Sequence, residues 1–216
     1  MARLKAAVLI SGRGSNLEAL ITACIDPAFP AEIGLVIANR PGAAGLARAE
    51  GAGIPTQTID HRAYEGRAPF ESALDGALRA AGAEIVLLAG FMRILTAGFV
   101  DPWRDRLLNI HPSLLPSFPG LDTHARALAA GVRFAGCTVH FVRADLDAGP
   151  IIVQAAVPVR ADDTPETLAA RVLIEEHIIY PLALRLIAEG RVQVREEAVE
   201  IDGAAAPAEA MVNPKP

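Results

Sequence analysis

Asn109, His111 and Pro112 are the residues whose types and spacing most clearly suggest chemistry. Alternate side chains of a strand point to the same side, so Asn109 and His111 can face one pocket at the end of a strand. Pro112 biases the preceding histidine towards extended geometry. A carboxamide can donate to a developing oxyanion and an imidazole can move a proton near neutral pH, so the pair suits acyl transfer. The alternative is a histidine whose ring is satisfied by a nearby backbone carbonyl.

The turn at residues 11–17 is a second candidate site, because it joins a short apolar run to residues at helical spacing. Free N–H groups at a helix start, the helix dipole and glycines that admit a bulky anion together suit a phosphate. Ser15 and Asn16 add side-chain donors. The turn is neither a P-loop nor a GxGxxG motif, because no Gly-Lys-Ser/Thr follows and residue 17 is leucine. The alternative is a plain strand-to-helix turn.

Several other polar residues have two interpretations each. Asp147 precedes Ala-Gly-Pro and is either a turn former or a carboxylate beside His111 that favours its imidazolium form. His140 either faces the same cleft or packs. Residues 91–95, which include Arg93, either line a pocket for a flat heterocycle or begin a helix. Arg67 is either a solvated charge or a partner for a carboxylate.

The elements that must position these residues alternate between strand and helix in the first half of the chain. Strands are predicted at residues 5–10, 32–38, 56–59, 84–89 and 106–110, and helices at 17–24, 43–52 and 69–81. Continuously apolar strands are typical of a parallel sheet that is buried on both faces. The fold class is therefore α/β, a single domain with a mostly parallel twisted sheet and helices on both faces.

The second half has a different pattern. A Pro-rich loop is predicted at residues 112–120, a helix at 123–130, strands at 138–142 and 151–158, and a long helix from 165 to about 190. Pro181 should kink or interrupt that helix. The adjacent residues Glu175 and Glu176 diverge by about 100° on the helix, so at most one of them faces a site.

Composition limits the classes of function. The chain has 25 acidic and 20 basic residues and a net charge of −5, which argues against nucleic-acid binding. No apolar run approaches the roughly 18 residues that span a bilayer, and the N-terminus lacks signal-peptide features, so a cytoplasmic protein is predicted. Cys24 and Cys137 are predicted to be two buried thiols. No histidine cluster has metal-ligand spacing, and no metal is predicted.

Four motifs, taken together, resemble those of the phosphoribosylglycinamide formyltransferases of purine biosynthesis. They are Ser11-Gly12-x-Gly14-Ser15-Asn16-Leu17, Ala89-Gly90-Phe91-Met92-Arg93-Ile94-Leu95, Asn109-Ile110-His111-Pro112-Ser113-Leu114-Leu115-Pro116 and Leu146-Asp147-x-Gly149-Pro150. The resemblance covers about residues 4 to 200. It departs from the family pattern at Ala148, where a second glycine is expected, and at Asp122, where a neutral residue or histidine is expected.

The resemblance implies a Rossmann-like formyltransferase fold and the transfer of a formyl group from the co-substrate 10-formyltetrahydrofolate to the amine of N1-(5-phosphoribosyl)glycinamide. It also implies site residues: catalytic Asn109, His111 and Asp147; phosphate-binding Gly14, Ser15 and Asn16; ribose-binding Glu176; and folate-binding Arg67, Met92, Arg93, Ile94, Leu95 and Asn109. We expect a formyltransferase domain at residues 1–202, with phosphate-binding in about 1–100 and catalysis and folate binding in about 101–202. Residues 203–216 are expected to be a loose tail.

Three other functions compete with this interpretation. The nearest is a formyltetrahydrofolate deformylase, whose members resemble this chain at the Asn, His and Asp positions but carry an extra N-terminal regulatory domain. A methionyl-tRNA formyltransferase should have a C-terminal RNA-binding domain, and a non-catalytic nucleotide-binding module would not need Asn109, His111 and Asp147 together. The expected partners are small-molecule substrates, with no nucleic acid and no membrane; a homodimer is allowed.

Overall fold

The computed structural model describes residues 2–214 and contains a seven-stranded sheet. Residues 1, 215 and 216, at the outer ends of the expected domain and tail, lie outside the described residues. The strands are β1 (Leu4–Ile10), β2 (Ala31–Ala38), β3 (Thr56–Thr58), β4 (Ile85–Leu88), β5 (Leu107–His111), β6 (Phe134–Phe141) and β7 (Ile151–Pro158). Their order is β3-β2-β1-β4-β5-β6-β7. The first five strands are parallel, whereas β6 and β7 pair antiparallel.

Helices cover both faces of this sheet. They are α1 (Ser15–Ile25), α2 (Ala44–Gly51), α3 (Arg67–Ala80), α4 (Ala97–Val100), α5 (Thr123–Ala129) and α6 (Pro165–Ala188). Alternate residues of β1 belong to different cores: Val8 packs in the cluster that includes α1 and α6, and Leu9 packs in the cluster that includes α3. The two-faced burial predicted from the apolar strands is confirmed, and so is the α/β fold class.

Three features differ from the sequence expectations. The interruption considered at Pro181 is wrong, because α6 continues through it; the fully buried neighbours Tyr180 and Ala183 hold the helix against the sheet although proline removes one backbone donor. The short helix α4 was not predicted. Neither was the antiparallel hairpin formed by β8 (Val192–Arg195) and β9 (Ala198–Ile201), whose strands are half exposed.

Two further sequence predictions concern the two cysteines and the C-terminal tail. Cys24 and Cys137 are buried free thiols, as predicted, and burial raises the pKa of Cys24 to about 11 and that of Cys137 to about 12. Residues 203–214 contain no helix or strand, and the Asn213 side chain donates to the carbonyls of Arg133 and Val159. No helix in the described part of the chain is long and apolar enough to cross a membrane.

Two glycines allow the β1–α1 turn to touch the start of α2. Gly14 has a φ of 74°, and a Cβ there would lie 2.7 Å from the Cα of Gly45. A Cβ on Gly45 would lie 2.6 Å from Cδ1 of Ile10, and the Gly45 amide donates to the Gly12 carbonyl at 3.0 Å. Glycine at both positions therefore sets how closely the turn and α2 pack.

We predict that Gly45→Ala lowers the free energy of unfolding by about 1–3 kcal/mol, because the added methyl overpacks this contact. Gly51→Ala is the matched control, since Gly51 lies in the same helix and a Cβ added there would have no atom within 4 Å. It should leave stability unchanged or raise it by up to about 1 kcal/mol. Urea unfolding measures both, and equal effects of the two substitutions would contradict the packing argument.

Candidate active site

A cleft of about 360 Å³ opens at the carboxyl ends of β1, β2 and β4. The strand order reverses between β1 and β4, and open α/β sheets bind ligands at such a switch point. The cleft brings together five of the predicted site residues, namely Gly14, Ser15, Asn16, Met92 and Arg93. It is also lined by Arg13, Arg40 and His61, so the walls are basic although the whole chain has a net charge of −5.

The turn before α1 has the geometry of an anion site. Gly14 is in the left-handed region and immediately precedes the helix, and the turn lines the cleft. The first amides of a helix have no partner within the helix, and its dipole places partial positive charge at the same end. The residues predicted to bind a phosphate therefore lie where a phosphate is electrostatically favoured.

Asn16 and Glu176 form a buried polar pair behind this turn. Nδ2 of Asn16 donates to Oε2 of Glu176 at 2.6 Å, and both residues are buried. Burial raises the pKa of Glu176, while the hydrogen bond from Asn16 opposes this rise. Oδ1 of Asn16 is buried with no hydrogen-bond partner among the described residues. Of the two adjacent glutamates, Glu176 is thus the one that reaches the turn.

His111 is held between two oxygen acceptors at the end of β5. Its Nδ1 lies 3.4 Å from Oδ2 of Asp147, and its Nε2 lies 3.0 Å from the carbonyl oxygen of Phe118. The same carboxylate accepts from the Gly120 amide at 2.7 Å. One ring nitrogen thus has a backbone carbonyl as its hydrogen-bond partner, and the other faces a carboxylate oxygen. The structure thus contains the backbone carbonyl contact considered for His111 and the position beside His111 considered for Asp147.

Asn109 is oriented by His140 on the neighbouring strand. The two residues are paired in register, and Nδ2 of Asn109 lies 3.4 Å from Nε2 of His140. Nδ1 of His140 lies 2.9 Å from the Phe141 carbonyl, and burial lowers the pKa of His140. A neutral ring that donates from Nδ1 leaves Nε2 as the acceptor for Asn109. His140 therefore faces the same site as Asn109 rather than only packing.

Two buried residues that sequence reasoning missed hold the neighbouring loops. The Thr138 hydroxyl donates to the Ser113 carbonyl at 2.7 Å and accepts from the Leu115 amide at 3.1 Å, which fixes the Pro-rich loop. The Glu71 carboxylate accepts from the amide of Thr96 at 2.9 Å and from its hydroxyl, which fixes the end of the loop after β4. A threonine in a strand and a glutamate in a helix carry no sequence signal for these contacts.

The other predicted site residues do not line the cleft. Residues 91–96 form no helix, and within them Ile94 is exposed whereas Leu95 is buried in the core. Arg67 is exposed at the first residue of α3. Asn109, His111 and Asp147 form a group of their own at the end of β5 and do not line the cleft. Within residues 2–214, no group of three or more His, Cys, Asp or Glu side chains could hold a metal ion.

The fold and site define an α/β protein with a ligand cleft at the switch point and an Asn-His-Asp group one strand away. The family model described as formyl transferase matches residues 4–184, and the chain belongs to that family. The phosphoribosylglycinamide formyltransferase of Escherichia coli (strain K12) is 46% identical over 196 residues, which cover 91% of this chain and 92% of that protein. The structure of glycinamide ribonucleotide transformylase 1 from Symbiobacterium toebii matches with a TM-score of 0.90 and 48% identity, covering 92% of this chain and 94% of that one.

Other relatives differ in length or in similarity. The trifunctional purine biosynthetic protein adenosine-3 of Gallus gallus is 55% identical over 194 residues, but the chain spans only 19% of its length. The formyltetrahydrofolate deformylase of Burkholderia mallei is structurally similar with a TM-score of 0.84, at 30% identity and over 70% of that chain. The Rossmann-like formyltransferase fold implied by the sequence motifs is therefore confirmed.

The buried carboxyl of Glu176 leads to a prediction about pH. Its pKa in the folded protein lies above the ordinary value of 4.5, so the folded state binds the proton more tightly than the unfolded chain. The contribution of this group to stability is therefore present below about pH 4.5 and is lost as the pH rises through the folded-state pKa. Glu176→Gln cannot ionise, so its stability relative to the wild type should increase with pH over that window. Urea unfolding at several pH values tests this, and a difference that does not change with pH would contradict it.

Proposed function

We propose that the chain transfers the formyl group of 10-formyltetrahydrofolate to the amine of N1-(5-phosphoribosyl)glycinamide. The products are the N-formyl ribonucleotide and tetrahydrofolate, as in de novo purine biosynthesis. The observation that carries the proposal is the position of His111 between the Asp147 carboxylate and the Phe118 carbonyl, one strand away from a basic cleft. The names of the relatives that match over nearly their full length support the same reaction.

The ribonucleotide would bind at the start of α1. Gly14, Ser15 and Asn16 would hold its phosphate, and the helix dipole and the basic cleft wall support this assignment. Glu176 would accept a hydrogen bond from a ribose hydroxyl. This role is supported by its contact with Asn16, which places a carboxylate directly behind the phosphate turn.

The folate would lie along the loop after β4 and the end of β5. Met92, Arg93, Ile94, Leu95 and Asn109 would contact it, and Arg67 would approach its carboxylates. The exposed side chains of Met92 and Ile94 offer apolar surface to a flat ring, and Arg93 adds positive charge at the cleft. The Met92 amide already donates to the Ser11 hydroxyl at 2.8 Å, which holds this loop against the phosphate turn.

The chemistry needs no covalent enzyme intermediate. The substrate amine attacks the formyl carbon, a C–N bond forms, and the carbonyl oxygen gains negative charge that Asn109 and protonated His111 would stabilise. The bond from the formyl carbon to the folate nitrogen then breaks, and its electron pair stays on that nitrogen. Protonated His111 would give its proton to the departing nitrogen and then take one from the attacking amine, so that no net proton is consumed. The Asp147 carboxylate would stabilise the imidazolium by charge attraction.

We further propose that this domain spans residues 1–202, with residues 203–216 as a tail, and that it works in the cytoplasm. It would act on small molecules without a metal ion, a nucleic acid or a membrane. The net charge of −5 and the two buried free thiols, which suit a reducing compartment, support this setting.

The test is to incubate the purified chain with 10-formyltetrahydrofolate, with and without glycinamide ribonucleotide, and to monitor the reaction by the absorbance of the folate. Tetrahydrofolate should form only when the ribonucleotide is present, together with an equal amount of formylated ribonucleotide. Turnover at the same rate without the ribonucleotide would reject the transferase in favour of a deformylase.

We predict that Asp147→Asn lowers kcat by about 10²–10³, because it removes the charge beside His111 while it keeps an oxygen acceptor for the Gly120 amide. Asp145→Asn is the matched control, since that exposed residue lies in the same loop and, among the described residues, takes part only through its backbone carbonyl, which accepts from the Ala148 amide. Steady-state kinetics with both substrates measure the two variants. An Asp147→Asn enzyme with nearly wild-type kcat would remove Asp147 from the mechanism.

A further inference from the structure

Arg143 connects the C-terminal hairpin to the loop that carries Asp147. It stands directly before that loop, residues 144–149, and its side chain is only 11% exposed. Nε of Arg143 donates to Oε2 of Glu197 at 2.7 Å, and Nη2 donates to Oδ1 of Asp105 at 2.7 Å. Glu197, at the tip of the hairpin between β8 and β9, also pairs with Arg104. Ion pairs therefore join three segments that are distant in sequence.

Both carboxylates that bind Arg143 lie on unusual backbone. Asp105 has a φ of 56° and Glu197 a φ of 63°, and Glu196 beside it has a φ of 48°. A two-residue hairpin turn with positive φ at both positions normally contains asparagine, aspartate or glycine, which tolerate that region. Residues in sparsely populated backbone regions persist when their surroundings hold them, and they concentrate near functional sites. Asp105 and Glu197, which both have a positive φ, bind the same side chain, that of Arg143.

The stem of Arg143 lies against the returning end of the loop. A Cβ on Gly149 would lie 3.0 Å from Cγ of Arg143 and 2.1 Å from the Phe141 carbonyl oxygen, so the loop crosses closely over this segment. The Phe141 amide donates to the Pro150 carbonyl at 2.9 Å. Within residues 144–148, the one backbone hydrogen bond described runs from Ala148 to Asp145 at 3.3 Å. The Asp147 side chain holds the middle of the loop through the Gly120 amide, and Arg143 and Gly149 form its base.

We propose that Glu197 is a positioning residue, which together with Asp105 fixes Arg143 and thereby the loop that presents Asp147 to His111. The effect on catalysis rests on the proposed function, because Asp147 has its role there. The hydrogen bond from Arg143 lowers the pKa of Glu197, so this carboxylate is charged at neutral pH. Burial would lower the pKa of Arg143, but its hydrogen bonds with Glu197 and Asp105 outweigh burial and raise it.

The experiment compares Glu197→Ala with Glu196→Ala, its neighbour in the same turn. Glu196 shares the positive φ but forms no ion pair among the described residues, so it controls for changes to the turn itself. Two readouts are measured on the full chain: hydrogen exchange of the amides of residues 144–149, and kcat and KM for each substrate at low salt.

Glu197→Ala should accelerate exchange in residues 144–149 and lower kcat by about two- to fivefold, with the KM for the ribonucleotide unchanged; a half-exposed ion pair accounts for an effect of this modest size. Glu196→Ala should match the wild type in both readouts. The difference between Glu197→Ala and wild type should shrink at high salt, because salt screens the pair in the wild type.

Three results would overturn the proposal. These are unchanged loop exchange in Glu197→Ala, equal effects of the two variants, or a lower melting temperature with kcat and loop exchange unchanged, which would mark a merely structural contact. Failure of the proposed function is distinguishable, because the wild type would then transfer no formyl group. The exchange readout would still decide whether Glu197 holds the loop.

Discussion

The contact between His111 and Asp147 is the constraint on which the arrangement of the site depends. A largely buried imidazole and carboxylate are costly to place unless each has a partner, and here each is the partner of the other. The contact requires three segments to meet: the end of β5, the Pro-rich loop that supplies the Phe118 carbonyl, and the turn between β6 and β7 that carries Asp147. Thr138 supports the Pro-rich loop, and Arg143 supports the turn that carries Asp147, so both help these segments to meet.

The sheet supplies the rest of the geometry. Strands β1, β4 and β5 are parallel, so the turn after β1 and the proposed catalytic group at the end of β5 lie at the same edge of the sheet, with β4 between them. The loop after β4 bridges the two halves through the contact of Met92 with Ser11. In the proposed function, this sheet places a ribonucleotide and a folate side by side, although Asn109, His111 and Asp147 are not among the residues that line the cleft.

The features that could be predicted from the sequence are those set by residues close together in the chain. The alternation of Asn109 and His111, the glycine turn before α1 and the two-faced burial of the strands all follow from neighbouring residues, and the structure contains each of them. The contacts of Glu71, Thr138 and Arg143 join residues that are about 25 to 54 positions apart, so no spacing rule reveals them. The hairpin of β8 and β9 escaped prediction because its turn has two glutamates where turn-forming residues are usual.

A double-mutant cycle on kcat tests most directly whether His111 and Asp147 act as a unit. The cycle compares the wild type with His111→Ala, Asp147→Ala and the double variant, with both substrates saturating. If Asp147 acts only through the charge of His111, replacing Asp147 in the His111→Ala enzyme should not lower kcat further. The double variant should then have the kcat of His111→Ala. Losses that multiply in the double variant would show that the two residues act independently and would contradict this account.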